Sequence, residues 1–152
     1  MPERTSTLQN RKAHHDYFIL ESLEAGIALV GCEVKSIRLG KANLQDSFAR
    51  VDKNQVFLFG MHVSPYAQGN RYNPDPTRTR KLLLNRNEIT RLASRVQEKG
   101  LSLVPLKLYF KQGKVKIQLA LAKGKTHGDK REKLKEKEAN REIERGFRRK
   151  FK

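Results

Sequence analysis

Histidine is the side chain best placed to move protons near neutral pH, and this chain has four: His14, His15, His62 and His127. None stands in a catalytic pattern. The sequence has no HExxH and no glycine-rich phosphate loop. His14 and His15 sit in a basic stretch, where an RNA contact suits them better than a metal. His62 lies inside an apolar run and reads as structural. The single cysteine, Cys32, has no cysteine partner for a metal or a disulfide, so it reads as a core or inert thiol. A chain without a disulfide framework fits a reducing compartment. These residue types give no support to an enzyme, a cofactor or a metal site.

The chemistry the chain does offer is cationic. Its 152 residues carry 33 Lys and Arg against 16 Asp and Glu, for a net charge of +17 and a pI near 10.3. Solubility needs only about 2 to 8 net charges in a small domain. An excess of this size draws polyanions through counterion release and long-range attraction, and nucleic acid is the foremost of these. Charge is concentrated in three stretches of defined local pattern: NRKAHHDY at 10–17, EVKSIRLGKAN at 33–43 and DPTRTRKLLL at 75–84. Arginines alternating beside Pro and Thr can hold phosphates in fixed geometry. A fourth basic segment, residues 122–152, has thirteen cations and six anions with little apolar area to bury. Such a composition does not fold alone.

The elements that must position these charges follow from the apolar pattern. Residues 1–13 read as a polar, mobile arm. Residues 17–23 and 27–30 read as a hairpin around the turn Glu24-Ala25-Gly26, with Gly31 as a break. Residues 33–39 suit a short helix closed by Gly40. Residues 48–51 and 55–63 form two strands about the turn Asp52-Lys53-Asn54, the second apolar on both faces and therefore central. Residues 64–76 form a loop; its Tyr66, Arg71 and Tyr72 can stack on bases or tuck into the body. Residues 85–99 are the clearest helix. Asn85 and Glu88 make a capping box there, and Ile89, Leu92, Ala93 and Val96 form one stripe. Residues 101–110 and 114–122 make the last hairpin about Gln112-Gly113, with Pro105 marking an edge or bulge. Six strands in three hairpins favour a small antiparallel barrel, which removes open edges. One barrel domain over 14–122 and a basic tail over 123–152 follow. No apolar run suggests a secretory signal or a membrane span, so a soluble cytoplasmic protein with no membrane partner is expected.

Several of these segments resemble the small protein B family, the SsrA-binding proteins that partner transfer-messenger RNA. The matching stretches are NRKAHHDY (10–17), EAG (24–26), GCEVKSIRLGKAN (31–43), DPTRTRKLLLN (75–85), AKGK (122–125) and DKR (129–131), in order along nearly the whole chain. The resemblance implies a mainly β, OB-like barrel of six strands with two or three short helices. It implies a tail disordered when free and helical on the ribosome, and no enzymatic activity or cofactor. Its partners would be transfer-messenger RNA, the decoding centre and messenger channel of the small ribosomal subunit, and elongation factor Tu through the RNA complex, with the protein itself a monomer. Positions matching the family's RNA contacts are Asn10, His15, Glu24, Leu83 and Lys114. Leu83 has a second reading as core at the helix entry. The basic residues beside these positions, Arg11, Lys12, Lys35, Arg38, Lys41, Arg78, Arg80 and Lys81, complete the expected RNA surface. Lys123, Lys125, His127, Gly128, Asp129, Lys130 and Arg131 are expected at the decoding centre. A structural ribosomal protein or general RNA binder is the alternative.

One departure stands out. Family members commonly carry His or Tyr immediately before Asp-Lys-Arg, whereas GKTHGDKR here has Gly128 at that place and His127 one residue earlier. His127 is expected to take over the stacking, with Gly128 supplying the backbone freedom. In the tail, Ile143, Phe147 and Phe151 recur every four residues, and Glu144 with Arg148 can pair across one helical turn.

Overall fold

The computed structural model describes residues 7–125, together with 137–139 and 141, which are helical. The expectations for His127 to Arg131 and for most of the tail, including Ile143, Phe147 and Phe151, lie outside the described residues. So do those for Met1 to Ser6.

In chain order the elements are β1 (Leu8–Gln9), α1 (Arg11–Asp16), β2 (Tyr17–Ile27), α2 (Gly31–Arg38), β3 (Ala42–Asn43), β4 (Phe48–Asp52), β5 (Gln55–Phe59), β6 (His62–Val63), a 3-10 segment (Ala67–Tyr72), β7 (Arg80–Leu83), α3 (Arg86–Lys99), β8 (Ser102–Lys111) and β9 (Lys114–Gly124). The main sheet runs β1-β8-β4-β5-β7-β2-β9, and β8 also pairs with β9, so six strands, all but β1, form an antiparallel ring. β3 and β6 make a separate two-stranded ladder.

Two hairpins form as the sequence predicts. Lys53-Asn54 joins β4 to β5 and Gln112-Gly113 joins β8 to β9, with positive φ at all four residues. That is the primed turn whose twist matches a two-residue hairpin. The third expected hairpin does not exist. β2 runs unbroken through Glu24-Ala25-Gly26, with a register shift between Ile19 and Glu21, and Gly31 opens α2 instead of ending a strand. Gly26 is there for space. It sits opposite Leu83, and a Cβ would stand 3.2 Å from the Leu83 Cβ. The sixth strand of the ring is β7, drawn from the basic run leading into α3. The expected strand 55–63 also breaks: Gly60, at φ 82°, separates β5 from β6. β5 itself is central, between β4 and β7.

The expected arm ends earlier than Ala13. β1 pairs with β8, and the Asn10 side chain caps α1, its Oδ1 accepting from the Ala13 amide. Ala13 packs with Val104, Leu106, Ala120 and Ala122 on the outer face of β8 and β9. Removing these apolar groups from water is what fixes α1 on the ring.

Inside the ring, Val56, Leu58, Leu108, Ile117, Leu119 and Leu121 are fully buried. Pro105 accompanies a register shift in β8, the bulge the sequence suggests. α2 follows the C-terminal end of β2 and α3 follows that of the antiparallel β7, so the two helices close opposite mouths. Ile37 enters the core from α2; Ile89 and Leu92 enter from α3.

Candidate RNA-binding surface

Strand alternation decides which side chains the ring presents. In the second half of β2, Leu23, Ala25 and Ile27 pack in the core, so Ser22, Glu24 and Gly26 face out. Glu24 pairs in register with Gln118, and Gly26 with Lys116 and Leu83. On the next strand Lys107, Tyr109 and Lys111 stand opposite Gln118, Lys116 and Lys114. One wall, spanning β7, β2, β9 and β8, therefore carries Lys81, Leu83, Glu24, Lys107, Tyr109, Lys111, Lys114 and Lys116.

Glu24 is the single carboxylate in this cationic row. It accepts from the Tyr109 hydroxyl at 2.5 Å and from Lys111 Nζ at 3.4 Å. The Tyr109 hydrogen bond, more than Lys111 or Lys116, holds its carboxyl below the usual range. Burial, and then the bond to Glu24, push the Tyr109 phenol up to about 12. The pair thus offers a fixed acceptor at any physiological pH, flanked by lysines that attract phosphate. Leu83 is 52% exposed, which settles its two readings against core packing. A bare Gly26 beneath it and a free leucyl surface suit contact with a sugar or base.

α1 covers the other half of the same face. Arg11, Lys12 and His15 are exposed on it, and His15 Nδ1 lies 3.0 Å from Asp16 Oδ1. Lys12 Nζ bonds Asp46 at 2.5 Å. The strand end beyond supplies exposed Lys123, opposite Phe18, and Lys125, whose Nζ donates to the His14 carbonyl and sits 5.0 Å from the centre of the Phe18 ring. At the mouth beside the wall, α2 presents Lys35, 5.4 Å from the Tyr66 ring centre, and Arg38, 5.3 Å from that of Phe110, with Lys41 exposed just beyond. Tyr66 is half-buried, its backbone held by the Asn73 amide at 2.8 Å. The side chains of Arg71 and Tyr72 lie outside the described residues.

Three expected contacts turn out otherwise. Arg80 has no solvent exposure. Its Nε donates to Glu33 at 2.6 Å, and its remaining nitrogens to the carbonyls of Met61, Arg78 and Pro76 at 2.7 to 3.0 Å. Leu82 must enter the core, and Arg80 shares its face two residues away. Arg78 is drawn to the same carboxylate, donating at 3.1 and 2.5 Å. Burial pushes the Glu33 carboxyl up, but Arg78, the Val30 amide and Arg80 together outweigh it and hold it below its ordinary range. Asn10 is also buried; its amide donates to the Leu44 and Pro105 carbonyls at 3.2 and 2.9 Å. Asn10 and Arg80 therefore build the surface without forming part of it, and Arg78 is largely committed to Glu33.

Conversely, sequence reasoning does not pick out Lys107, Tyr109, Lys111 and Lys116. The signal is present in the chain: they are the polar alternates of the two best-patterned strands. Among the described residues no cluster of His, Cys, Asp and Glu could hold a metal, and no helix is long and apolar enough to cross a membrane.

Known proteins share this architecture. A family model described as SmpB protein matches residues 7–149. The SsrA-binding protein of Anoxybacillus flavithermus is 63% identical over 140 residues, covering 92% of this chain and 91% of its own. That of Bacillus subtilis is likewise 63% identical over 140 residues, covering 92% of this chain and 90% of its own. A solved chain from "tmRNA-SmpB: a journey to the center of the bacterial ribosome" aligns with a TM-score of 0.68 at 48% identity, covering 84% of this chain and 94% of that one. With a family match across almost all of its length and relatives this close, the chain belongs to the SmpB family of SsrA-binding proteins.

Proposed function

We propose that this protein is a non-catalytic RNA adaptor of trans-translation in the cytoplasm. It binds the tRNA-like domain of transfer-messenger RNA and delivers it to stalled ribosomes, with elongation factor Tu joining through the RNA. The observation that carries this reading is the outer wall of β7, β2, β9 and β8. There Lys81, Lys107, Lys111, Lys114 and Lys116 surround the Glu24–Tyr109 pair and the exposed Leu83. Cations supply affinity for phosphate, and Glu24 selects by accepting from a base or a 2′-hydroxyl. Arg11, Lys12 and His15 on α1 and Lys35, Arg38 and Lys41 on α2 extend the surface at its two ends.

The tail has the second task. Lys123, Lys125 and the segment 127–131 reach the decoding centre, and the remainder enters the empty messenger channel as a helix. RNA phosphate neutralises its mutually repelling cations there. His127 stacks on a decoding-centre base in place of the ring that Gly128 lacks.

A gel shift against transfer-messenger RNA, with tRNA and a ribosomal RNA fragment as competitors, tests the reading. Preference for transfer-messenger RNA supports it; equal affinity for all three leaves a general RNA binder. Deletion after Gly124 should spare RNA binding and abolish tagging of stalled peptides. A His127→Ala variant with undiminished tagging removes the assigned stacking role.

A further inference from the structure

A carboxylate on a face that attracts phosphate weakens that attraction. The place of Glu24 in a row of lysines therefore points to a hydrogen-bond donor on the RNA. Its surroundings on the sheet are definite. The side chain is 37% exposed. The Tyr109 hydroxyl reaches across β9 and donates to Oε2 at 2.5 Å. Lys111 Nζ lies 3.4 Å from Oε1 and 3.5 Å from Oε2. It is almost equidistant from the two oxygens and outside the roughly 2.7 to 2.9 Å of a tight charge-assisted bond. Lys111 thus marks the open fork of the carboxylate without closing it. Gln118, the cross-strand neighbour of Glu24, gives its amide to Ser22 at 3.1 Å. Two residues along β2, the bare backbone of Gly26 lies under the exposed Leu83. The wall therefore holds an acceptor fork beside a small apolar shelf.

The protonation states fix the polarity of the fork. Burial, and then Glu24, push the Tyr109 phenol up to about 12, so it stays a donor. The same hydrogen bond holds the Glu24 carboxyl below its ordinary range, so it stays an acceptor with two oxygens. Such a fork takes two donors side by side. Among the RNA bases only guanine has them on its Watson–Crick edge, as N1–H and the N2 amine. Adenine and cytosine set one amine beside a ring-nitrogen acceptor, and uracil sets N3–H between two carbonyls. Those acceptors would face an anion. A 2′-hydroxyl supplies a single donor. The guanine edge is reachable only where the base is unpaired.

We propose that the Glu24 fork reads the Watson–Crick edge of one unpaired guanine in transfer-messenger RNA, with the base lying against Leu83, and that Tyr109 is the positioning residue that aims the fork. Lys111 leaves the fork for a phosphate as the guanine enters. The lysines then supply affinity for any RNA, and the Tyr109–Glu24 pair supplies the choice among RNAs. This inference rests on the adaptor function proposed above and names the group that Glu24 selects.

The test is interference mapping with inosine, which keeps N1–H and lacks the N2 amine. Transfer-messenger RNA carrying sparse, random inosine in place of guanosine is bound to the full chain, and the bound and unbound pools are compared at every guanosine. The bound pool should be depleted of inosine at one unpaired position. An RNA with inosine at that position alone should bind the parent about 5- to 100-fold more weakly than the unmodified RNA. Glu24→Gln should bring this ratio close to one. Tyr109→Phe should shrink it several-fold while keeping the parent's salt slope, a combination that a merely structural loss would not produce. Melting curves matching the parent show that both variants fold. No depletion at any unpaired guanosine overturns the proposal, as does a ratio that persists at full size in folded Glu24→Gln. A folded Tyr109→Phe with the parent's ratio overturns the positioning role. Equal affinity of the parent for transfer-messenger RNA and tRNA would instead overturn the adaptor reading.

Discussion

Arg80→Met separates a residue that builds the RNA surface from one that touches RNA. In the native protein Arg80 is fully buried and ties Glu33 on α2 to the carbonyls of Met61, Pro76 and Arg78. The substitution keeps an apolar side chain of similar length but strips the three carbonyls of this donor. It leaves Glu33, only 2% exposed, with Arg78 as its one cationic partner among the described residues. Breaking a buried pair by removing one member costs about 3 to 5 kcal/mol. At roughly 2 to 4 °C per kcal/mol for a chain of this size, the melting temperature should fall by about 6 to 20 °C. Circular dichroism melts give that number, and a salt titration of RNA affinity at a temperature where both proteins are folded gives the other half. The variant should bind transfer-messenger RNA with the parent's affinity and the parent's salt slope. A protein that melts normally but loses affinity, with a slope smaller by nearly one ion, would show that Arg80 reaches phosphate and that its buried position here is wrong.

Replacing a wall lysine has the opposite signature. Lys116→Ala or Lys107→Ala should leave the melting temperature within a degree or two and reduce the salt slope by about 0.7 to 0.9 for each phosphate no longer neutralised. Leu83→Ala should likewise spare stability, because the side chain is already half in solvent, and weaken RNA binding in the gel shift. The Glu33 carboxyl sits below its ordinary value of 4.5 in the folded state. Its contribution to stability is therefore complete above that pH and lost as pH falls through the depressed folded value. The stability gap between the parent and Glu33→Gln, from denaturant unfolding, should hold steady from pH 7 to 5 and narrow below about 4.5. A gap independent of pH down to 3 would contradict the burial of an ionised Glu33.

Much of the fold can be read from the chain. α3 declares itself by one apolar stripe, and the β4–β5 and β8–β9 hairpins by alternation broken at polar two-residue turns. Local signals fail where tertiary space decides. Glu24-Ala25-Gly26 has the composition of a turn, yet Gly26 is small to admit Leu83 and the strand runs on. β7 is four residues long and hidden in a basic run, and its two faces invert expectation: Arg80 points in and Leu83 out. Once Leu82 is placed in the core, period-two alternation requires both. Asn10 shows the same limit. Its family match marks it as an RNA contact, but its amide is consumed in holding α1 to Leu44 and Pro105. The wall itself is half visible in the sequence. Glu24, Leu83, Lys81 and Lys114 come from different segments, and only the strand register reveals that Lys107, Tyr109, Lys111 and Lys116 join them.

That wall is tested most directly by lysine acetylation followed by mass spectrometry, with and without saturating transfer-messenger RNA. Lys107, Lys111, Lys114 and Lys116 should each lose reactivity several-fold on binding, while Lys53, exposed at the β4–β5 turn, keeps its rate. Protection of Lys53 with no change at the four wall lysines would place the RNA on the other side of the ring and contradict the assignment.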